Sequence, residues 1–131
     1  MATNELEIIL SRQFADALSV PIFITDTEGT LVFFNEPAET FLGVKYAETG
    51  AMTTETWTNL FAPTDENGNR VHRIDLPLVR TLTYCQPAQA AFWVTNGAGQ
   101  KFHLSVTSFP LMGRSNRFVG AIAIFWEKRP V

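Results

Sequence analysis

The residues able to carry out chemistry are few and lie far apart in this sequence. His72 and His103 are its two histidines, and Cys85 is its single cysteine. A metal site needs several convergent donors, and a nucleophilic cysteine needs a nearby base. We therefore interpret both histidines as solvated or hydrogen-bonded side chains, and we predict no metal site and no catalytic residue.

Two short stretches have the composition of ligand-binding loops but not their spacing. In Gly97-Ala98-Gly99, Phe102 stands where a phosphate-binding fingerprint requires its third glycine, and a strand follows where a helix is needed. The stretch Asp65-Glu66-Asn67-Gly68 lacks the spacing and the closing acid of a calcium loop. No two carboxylates stand out as an acid and base pair. The sequence thus predicts a protein that is not an enzyme.

Composition bounds the class of protein. The chain has 131 residues, of which 46% are hydrophobic and 18% are charged, and this is typical of one globular domain. A net charge of −3 predicts no binding to nucleic acid or to an anionic membrane surface. The longest apolar run, Val119 to Trp126, is far shorter than the roughly 20 residues of a membrane-spanning helix. With no basic, apolar leader at its start, the chain is expected to be cytoplasmic.

Charge is unevenly divided between the two halves of the chain. Residues 1–66 hold eleven acids against two bases, a net of −9, and residues 67–131 hold eight bases against two acids, a net of +6. Two oppositely charged faces would favour association with a partner. A compact fold that interleaves the two halves would cancel the asymmetry, and we favour this second interpretation.

Hydrophobic spacing predicts an amphipathic N-terminal helix, a strand pair, a helical middle and three closing strands. Asn4 is the expected N-cap of the first helix, which runs to Leu18 and whose apolar stripe is formed by Leu6, Leu10, Phe14 and Leu18. Asn35 and Asp75 are expected to cap later helices. The predicted strands are 22–25, 31–34, 90–95, 101–109 and 118–126. Both parities of the closing strands are apolar, so both faces of the sheet should be covered.

This order of elements, with several residue stretches, resembles a PAS domain. The opening strands and first helix match through Pro21-Ile-Phe-Ile-Thr-Asp26, Glu28-Gly29, Phe34-Asn35 and Phe41-Leu-Gly43. The middle matches through Asn67-Gly68, Leu76-Pro-Leu78, Arg80-Thr-Leu82 and Pro87, and the closing strands match through Gly99, Lys101-Phe102, Phe109-Pro-Leu111 and Val119-Gly-Ala121. The resemblance covers roughly residues 12–127.

The resemblance implies an α+β fold. We expect a five-stranded antiparallel sheet with short helices on one face, preceded by a cap helix over residues 1–18, with the PAS domain over 19–131. Multidomain PAS sensors usually continue from the last strand through an Asp-x-Thr motif into a linker helix. Here Phe125-Trp-Glu-Lys-Arg-Pro130 stands instead, so we expect a free-standing PAS protein or one separated from its output domain.

Two known kinds of PAS sensor can be compared residue by residue. Light-sensing flavin members carry a reactive cysteine in an Asn-Cys-Arg stretch, where this chain has Ala62-Pro-Thr64 after Leu60-Phe61. That photochemistry is therefore excluded. Haem members often use a histidine on the long helix; here that helix has none and His72 only precedes it, so a haem-binding sensor is a minor alternative.

In PAS domains the sheet curves around a small chamber. When the strands of this chain are matched to the family pattern, they indicate which residues line that chamber. The inward residues are expected to be Phe23, Thr25, Phe92, Val94, Leu104, Val106, Ile122 and Ile124, with Leu78 and Leu82 closing the lid. A nearly apolar lining suits a small apolar or aromatic ligand. The alternative, which we favour, is that bulky Phe23 and Phe92 fill the space as ordinary core. No cofactor is expected.

The opposite face is expected to be an interface. Its predicted residues are Trp93, Phe109, Ala121, Ala123 and Phe125 on the sheet, covered by the Leu6, Leu10, Phe14 and Leu18 stripe of the same chain or of a second copy. The sequence thus predicts a sensory or interaction module in signal transduction that acts by homodimerisation or by contact with a kinase, cyclase or regulator. The alternative from another class is a small cone-shaped enzyme resembling ketosteroid isomerase, which would need a carboxylate inside its pocket.

Overall fold

The computed structural model describes residues 6–96 and 99–128, and the structural statements below refer to those ranges. The predicted N-cap Asn4 and the residues Gly97 and Ala98 lie outside them. The outer ends of the two predicted segments, 1–18 and 19–131, also lie outside them.

Helices and strands follow one another in the predicted order. The helices are α1 (Leu6–Asp16), α2 (Glu36–Leu42), α3 (Tyr46–Thr49), α4 (Thr54–Phe61) and α5 (Pro77–Tyr84). The strands are β1 (Ile22–Thr25), β2 (Leu31–Phe34), β3 (Ala88–Thr95), β4 (Lys101–Met112) and β5 (Phe118–Glu127). Single 3₁₀ turns precede α5 and β5, at Arg73–Asp75 and Arg114–Asn116.

The strands form one antiparallel sheet in the order β2-β1-β5-β4-β3. The last strand in the chain therefore lies at the centre, between the opening pair and the closing hairpin. This arrangement confirms the predicted α+β class and the five-stranded antiparallel sheet.

Each face of the sheet has its own apolar core. On the inner face, side chains of β1, β3, β4 and β5 pack against α2, α4 and α5. On the outer face, α1 packs on β1, β2 and β5, and Ile8 and Ala15 are fully buried there. The prediction that both faces are covered is confirmed for the part of the sheet that α1 crosses.

Local capping explains where the middle helices begin. The Asn35 side chain accepts a hydrogen bond from the Ala38 amide at the start of α2, as predicted, and Gly43 ends that helix at φ 76°. Asp75 is not the N-cap of α5, contrary to prediction. It lies in the preceding 3₁₀ turn, and Leu76, whose side chain has no hydrogen-bond acceptor, occupies the cap position. Pro77 follows in the first turn, where its fixed φ suits a helix.

Asn35 also joins α1 to the domain. Its Oδ1 accepts from the Ile22 amide at 2.9 Å and its Nδ2 donates to the carbonyls of Ala15 at 3.1 Å and Val20 at 2.8 Å. With the Ala38 contact, all four hydrogen-bonding positions of this buried amide are used. One side chain thus fixes the end of α1 against β1, β2 and α2.

The edge strands are each paired at one point with a residue outside the sheet. Leu31 of β2 forms an antiparallel bridge with Met52, and Trp93 of β3 forms one with Thr64. These bridges attach the segments before and after α4 to opposite ends of the sheet.

Candidate functional site

The predicted chamber lies between the inner sheet face and helices α4 and α5. A remaining cavity there has a volume of only about 10 Å³. Its lining consists of Phe23, Trp57, Phe61, Leu76, Pro77, Leu78, Phe92, Val106, Ala123 and Phe125. A space of this size holds at most about one water molecule, so the chamber is filled by its own side chains.

Aromatic rings account for most of the filling. The ring centroid of Phe23 lies 4.7 Å from that of Phe125, 5.6 Å from Phe61 and 6.1 Å from Trp57. Phe61 in turn contacts Phe92 edge to face at 5.6 Å. The Phe23–Phe125 pair is tilted and the other three pairs are edge to face, a favoured geometry for aromatic pairs, so the rings hold one another in place.

Hydroxyl groups are the polar features of the inner face. Thr81 of α5 and Ser108 of β4 are both fully buried and share a hydrogen bond of 2.6 Å, which ties the helix to the sheet. Thr25 of β1 is also fully buried, but its Oγ1 has no hydrogen-bond partner. A buried hydroxyl without a partner costs free energy, but Thr25 is not among the residues that line the remaining cavity.

Most of the predicted chamber residues lie on the inner face. Phe23, Leu78, Phe92 and Val106 line the cavity itself, and Val94 and Leu104 belong to the same core. Leu82 is half-buried against that core. Trp57 and Phe61 were absent from the sequence-based lining, although their four-residue spacing on one side of α4 was a usable signal.

The prediction for β5 is wrong by one residue. Phe23 pairs with Ala123 and Ile24 pairs with Ile122, and residues opposite each other across two strands point to the same face. Ala121, Ala123 and Phe125 are therefore in the inner core, and Ile122 and Ile124 are in the outer one. Because the side-chain period of a strand is two, a shift of one residue exchanges the two faces.

The stripe predicted to cover the outer face points away from it. Leu6, Leu10 and Phe14 are 63%, 53% and 60% exposed, whereas Ile8 and Ala15 make the contact with the sheet. Only Leu18, just beyond α1, packs in part against the outer core. The helix covers the sheet as predicted but through its opposite side.

Arg12 helps to explain which side of α1 packs against the sheet. Its guanidinium lies over the rings of Phe33, at 4.9 Å, and Tyr46, at 5.6 Å. A cation over an aromatic face is attracted by the ring, and the arginine stem adds apolar contact. The side of α1 that carries Arg12 therefore packs inward, and the bulkier apolar side faces solvent.

The remaining predicted interface residues occupy different places on the outer face. Phe109 is half-buried beneath α1, in the outer core. Trp93 lies beyond the helix and is stacked on His103, with ring centroids 4.3 Å apart and an angle of 8° between the planes. His103 is thus held against an aromatic neighbour.

The other reactive side chains lie away from the chamber. His72 is exposed in the loop before α5, and Cys85 is exposed at the end of that helix, where its Sγ lies 3.9 Å from Sδ of Met112. Within residues 6–96 and 99–128, no three His, Cys, Asp or Glu side chains come together to hold a metal ion. None of the helices described there is long and apolar enough to cross a bilayer.

Solved structures share this architecture. The PAS domain of Bordetella pertussis BvgS is 18% identical, with a TM-score of 0.65 over 95% of this chain and 87% of its own. The Rhodobacter sphaeroides LOV protein is 16% identical, with a TM-score of 0.72 over 95% of this chain and 69% of its own. The LOV domain of a blue-light activated histidine kinase from Erythrobacter litoralis is 13% identical, with a TM-score of 0.64 over 86% of this chain and 99% of its own.

Sequence comparison agrees with the structural one. No curated protein sequence matches the chain. The profile of a PAS domain family matches residues 19–127, which is most of the chain and includes every strand of the sheet. The protein belongs to the PAS domain family, whose members are sensory modules of signal transduction.

Proposed function

We propose that this PAS domain is an interaction module whose output is contact with a second copy of itself through α1. The observation that carries the proposal is the exposed apolar row formed by Leu6, Ile9, Leu10 and Phe14 on one side of that helix. Four large apolar side chains on one helix face lose unfavourable contact with water when the face is paired.

A two-fold axis suits such a row because the same surface then serves both copies. The inward side of α1 is already used by Ile8, Arg12 and Ala15, so the row is free to meet another helix without loosening the fold. Attachment of α1 through Asn35 would carry any movement of the pair into β1, β2 and α2. A kinase, cyclase or regulator that binds the paired α1 helices would respond to this contact. We propose that this takes place in the cytoplasm.

Sedimentation velocity tests the pairing. We expect the wild type to sediment as a dimer and Phe14→Asp to sediment as a monomer, because a carboxylate cannot be buried unpaired in an apolar seam. Ile74→Asp is the matched control, since Ile74 is 48% exposed in the turn before α5. A monomeric wild type, or a Phe14→Asp variant of unchanged mass, would overturn the proposal.

Ligand sensing in the chamber is the second candidate, and the observation behind it is the unpartnered hydroxyl of Thr25, a buried group of the same sheet face that does not line the remaining cavity. The occupant would be a small apolar or aromatic molecule with one polar group, and the aromatic rings would have to separate to admit it. Native mass spectrometry of protein purified from its natural host tests this role. Excess mass that is lost on denaturation supports it, and a clean apo mass contradicts it.

A further inference from the structure

A second concave site lies outside the chamber, between the end of α4 and the loop that leads to α5. The groove has a volume of about 440 Å³, within the range of small-molecule sites. It is lined by Thr58, Asn59, Pro63, Arg70, Val71, His72, Arg73 and Leu76.

The groove has an apolar floor and a cationic rim. Pro63 and Leu76 are buried and Val71 is half-buried, whereas Arg70 and Arg73 are exposed beside them. A surface of this kind can hold the body of an amphiphilic molecule by apolar contact and its charged end by hydrogen bonds.

Both arginines form long hydrogen bonds to neutral acceptors of α4. Nη2 of Arg70 donates to the Thr58 carbonyl at 3.3 Å and to Asn59 Oδ1 at 3.4 Å, and Nη2 of Arg73 donates to Thr58 Oγ1 at 3.3 Å. In the part of the chain that the structure describes, neither guanidinium forms an ion pair with a carboxylate. Only Nη2 of each guanidinium is used in these bonds, so both cations retain N–H donors for a bound anion.

The arrangement suits an anionic group that carries two or more oxygens. A guanidinium offers paired donors that match carboxylate, sulfonate or phosphate oxygens, and its hydrogen bonds to an anion are stronger than the bonds to uncharged acceptors that these arginines make within the chain.

We propose that this groove binds a small organic anion, with its apolar body on Pro63, Val71 and Leu76 and its charged group between Arg70 and Arg73. Leu76 lines both the groove and the chamber, so a bound anion contacts the chamber wall directly. The groove is separate from the α1 surface and from Thr25. The test of anion binding is therefore independent of the tests of dimerisation and of ligand binding in the chamber.

A matched pair of fluorescent probes tests the charge requirement. 8-Anilinonaphthalene-1-sulfonate and N-phenyl-1-naphthylamine share one ring system and differ by the sulfonate. We expect the sulfonate probe to bind the wild-type protein more tightly. Arg70→Gln and Arg73→Gln should each weaken it roughly tenfold, since each removes a charge-assisted contact, and should leave the neutral probe within about twofold.

Control variants separate binding from folding. Arg70→Lys retains the charge and should retain most of the affinity, and Arg80→Gln removes an exposed arginine of α5 that stacks on Tyr84 and does not line the groove. Titrating benzoate and phenyl phosphate against the bound probe shows whether carboxylate or phosphate is preferred, by which one displaces it at lower concentration. Equal loss of both probes in the glutamine variants, or no loss of the sulfonate probe, would overturn the proposal.

Discussion

At the scale of single residues, hydrogen-bond satisfaction distinguishes side chains that look alike in the sequence. Asn35 uses every donor and acceptor it has, on four different segments of the chain. Asn69 is exposed, and only its backbone groups form the hydrogen bonds found in the described chain. The two asparagines should therefore differ greatly in their contribution to stability.

We expect Asn35→Ala to lower the free energy of unfolding by about 3 kcal/mol or more, because it leaves several buried backbone groups unpaired. Asn69→Ala should change it by less than about 0.5 kcal/mol. Urea unfolding followed by circular dichroism measures both values. Similar values for the two variants would show that the α1 junction does not depend on this amide.

Two buried threonines offer a sharper comparison. Thr25→Val removes a hydroxyl that has no partner and should leave stability unchanged or raise it by about 1 kcal/mol. Thr81→Val leaves the Ser108 hydroxyl unpaired and should cost about 1–3 kcal/mol. Both sites are fully buried, so the difference isolates the hydrogen bond. Equal destabilisation by both substitutions in urea would mean that Thr25 also has a bonding role.

At the scale of elements, the order of helices and strands could be predicted from the sequence, but the facing of β5 and α1 could not. In β5, alanine and phenylalanine at one parity alternate with isoleucine at the other, so apolarity alone does not select a face. In α1, Leu6, Ile9, Leu10 and Phe14 share one side and Ile8 lies on the other, so the larger apolar side is not the one that is buried. The deciding contacts, from Phe23 to Ala123 and from Arg12 to Phe33, join residues distant in sequence.

The orientation of the β5 side chains is testable. The two possible orientations predict opposite orders of destabilisation for glutamate substitutions at Ala123 and Ile124. Ala123→Glu should cost more than about 3 kcal/mol, since its carboxylate would be buried without a partner among aromatic rings. Ile124→Glu should cost less, because Ile124 is half-exposed and a glutamate there reaches water. Thermal unfolding measures both costs, and a larger cost for Ile124→Glu would contradict the observed register.

At the scale of the whole molecule, stability and association draw on opposite sides of one helix. Ile8 is fully buried against the sheet, whereas Leu10 is 53% exposed on the row proposed to pair. Because a dimer that dissociates on unfolding is stabilised by mass action, its Tm rises with protein concentration.

We expect Ile8→Ala to lower Tm at every concentration, by a loss of about 2–4 kcal/mol, while the concentration dependence persists. Leu10→Ala should reduce the concentration dependence and leave the Tm of the dilute protein nearly unchanged. Differential scanning calorimetry over a hundredfold concentration range provides both readings. If the Tm of Leu10→Ala depends on protein concentration as strongly as that of the wild type, the interface does not include Leu10.

The single-residue bridges at the two sheet edges have a further consequence, for solubility. An open edge strand is a template on which other chains can add without limit, and this is how many β-rich proteins form fibres. Here Met52 pairs with β2 and Thr64 pairs with β3, so each ladder of free backbone groups is interrupted by the molecule's own chain. An edge divided in this way is a poorer template for added strands, so we expect the association proposed through α1 to stop at a closed pair instead of a growing polymer.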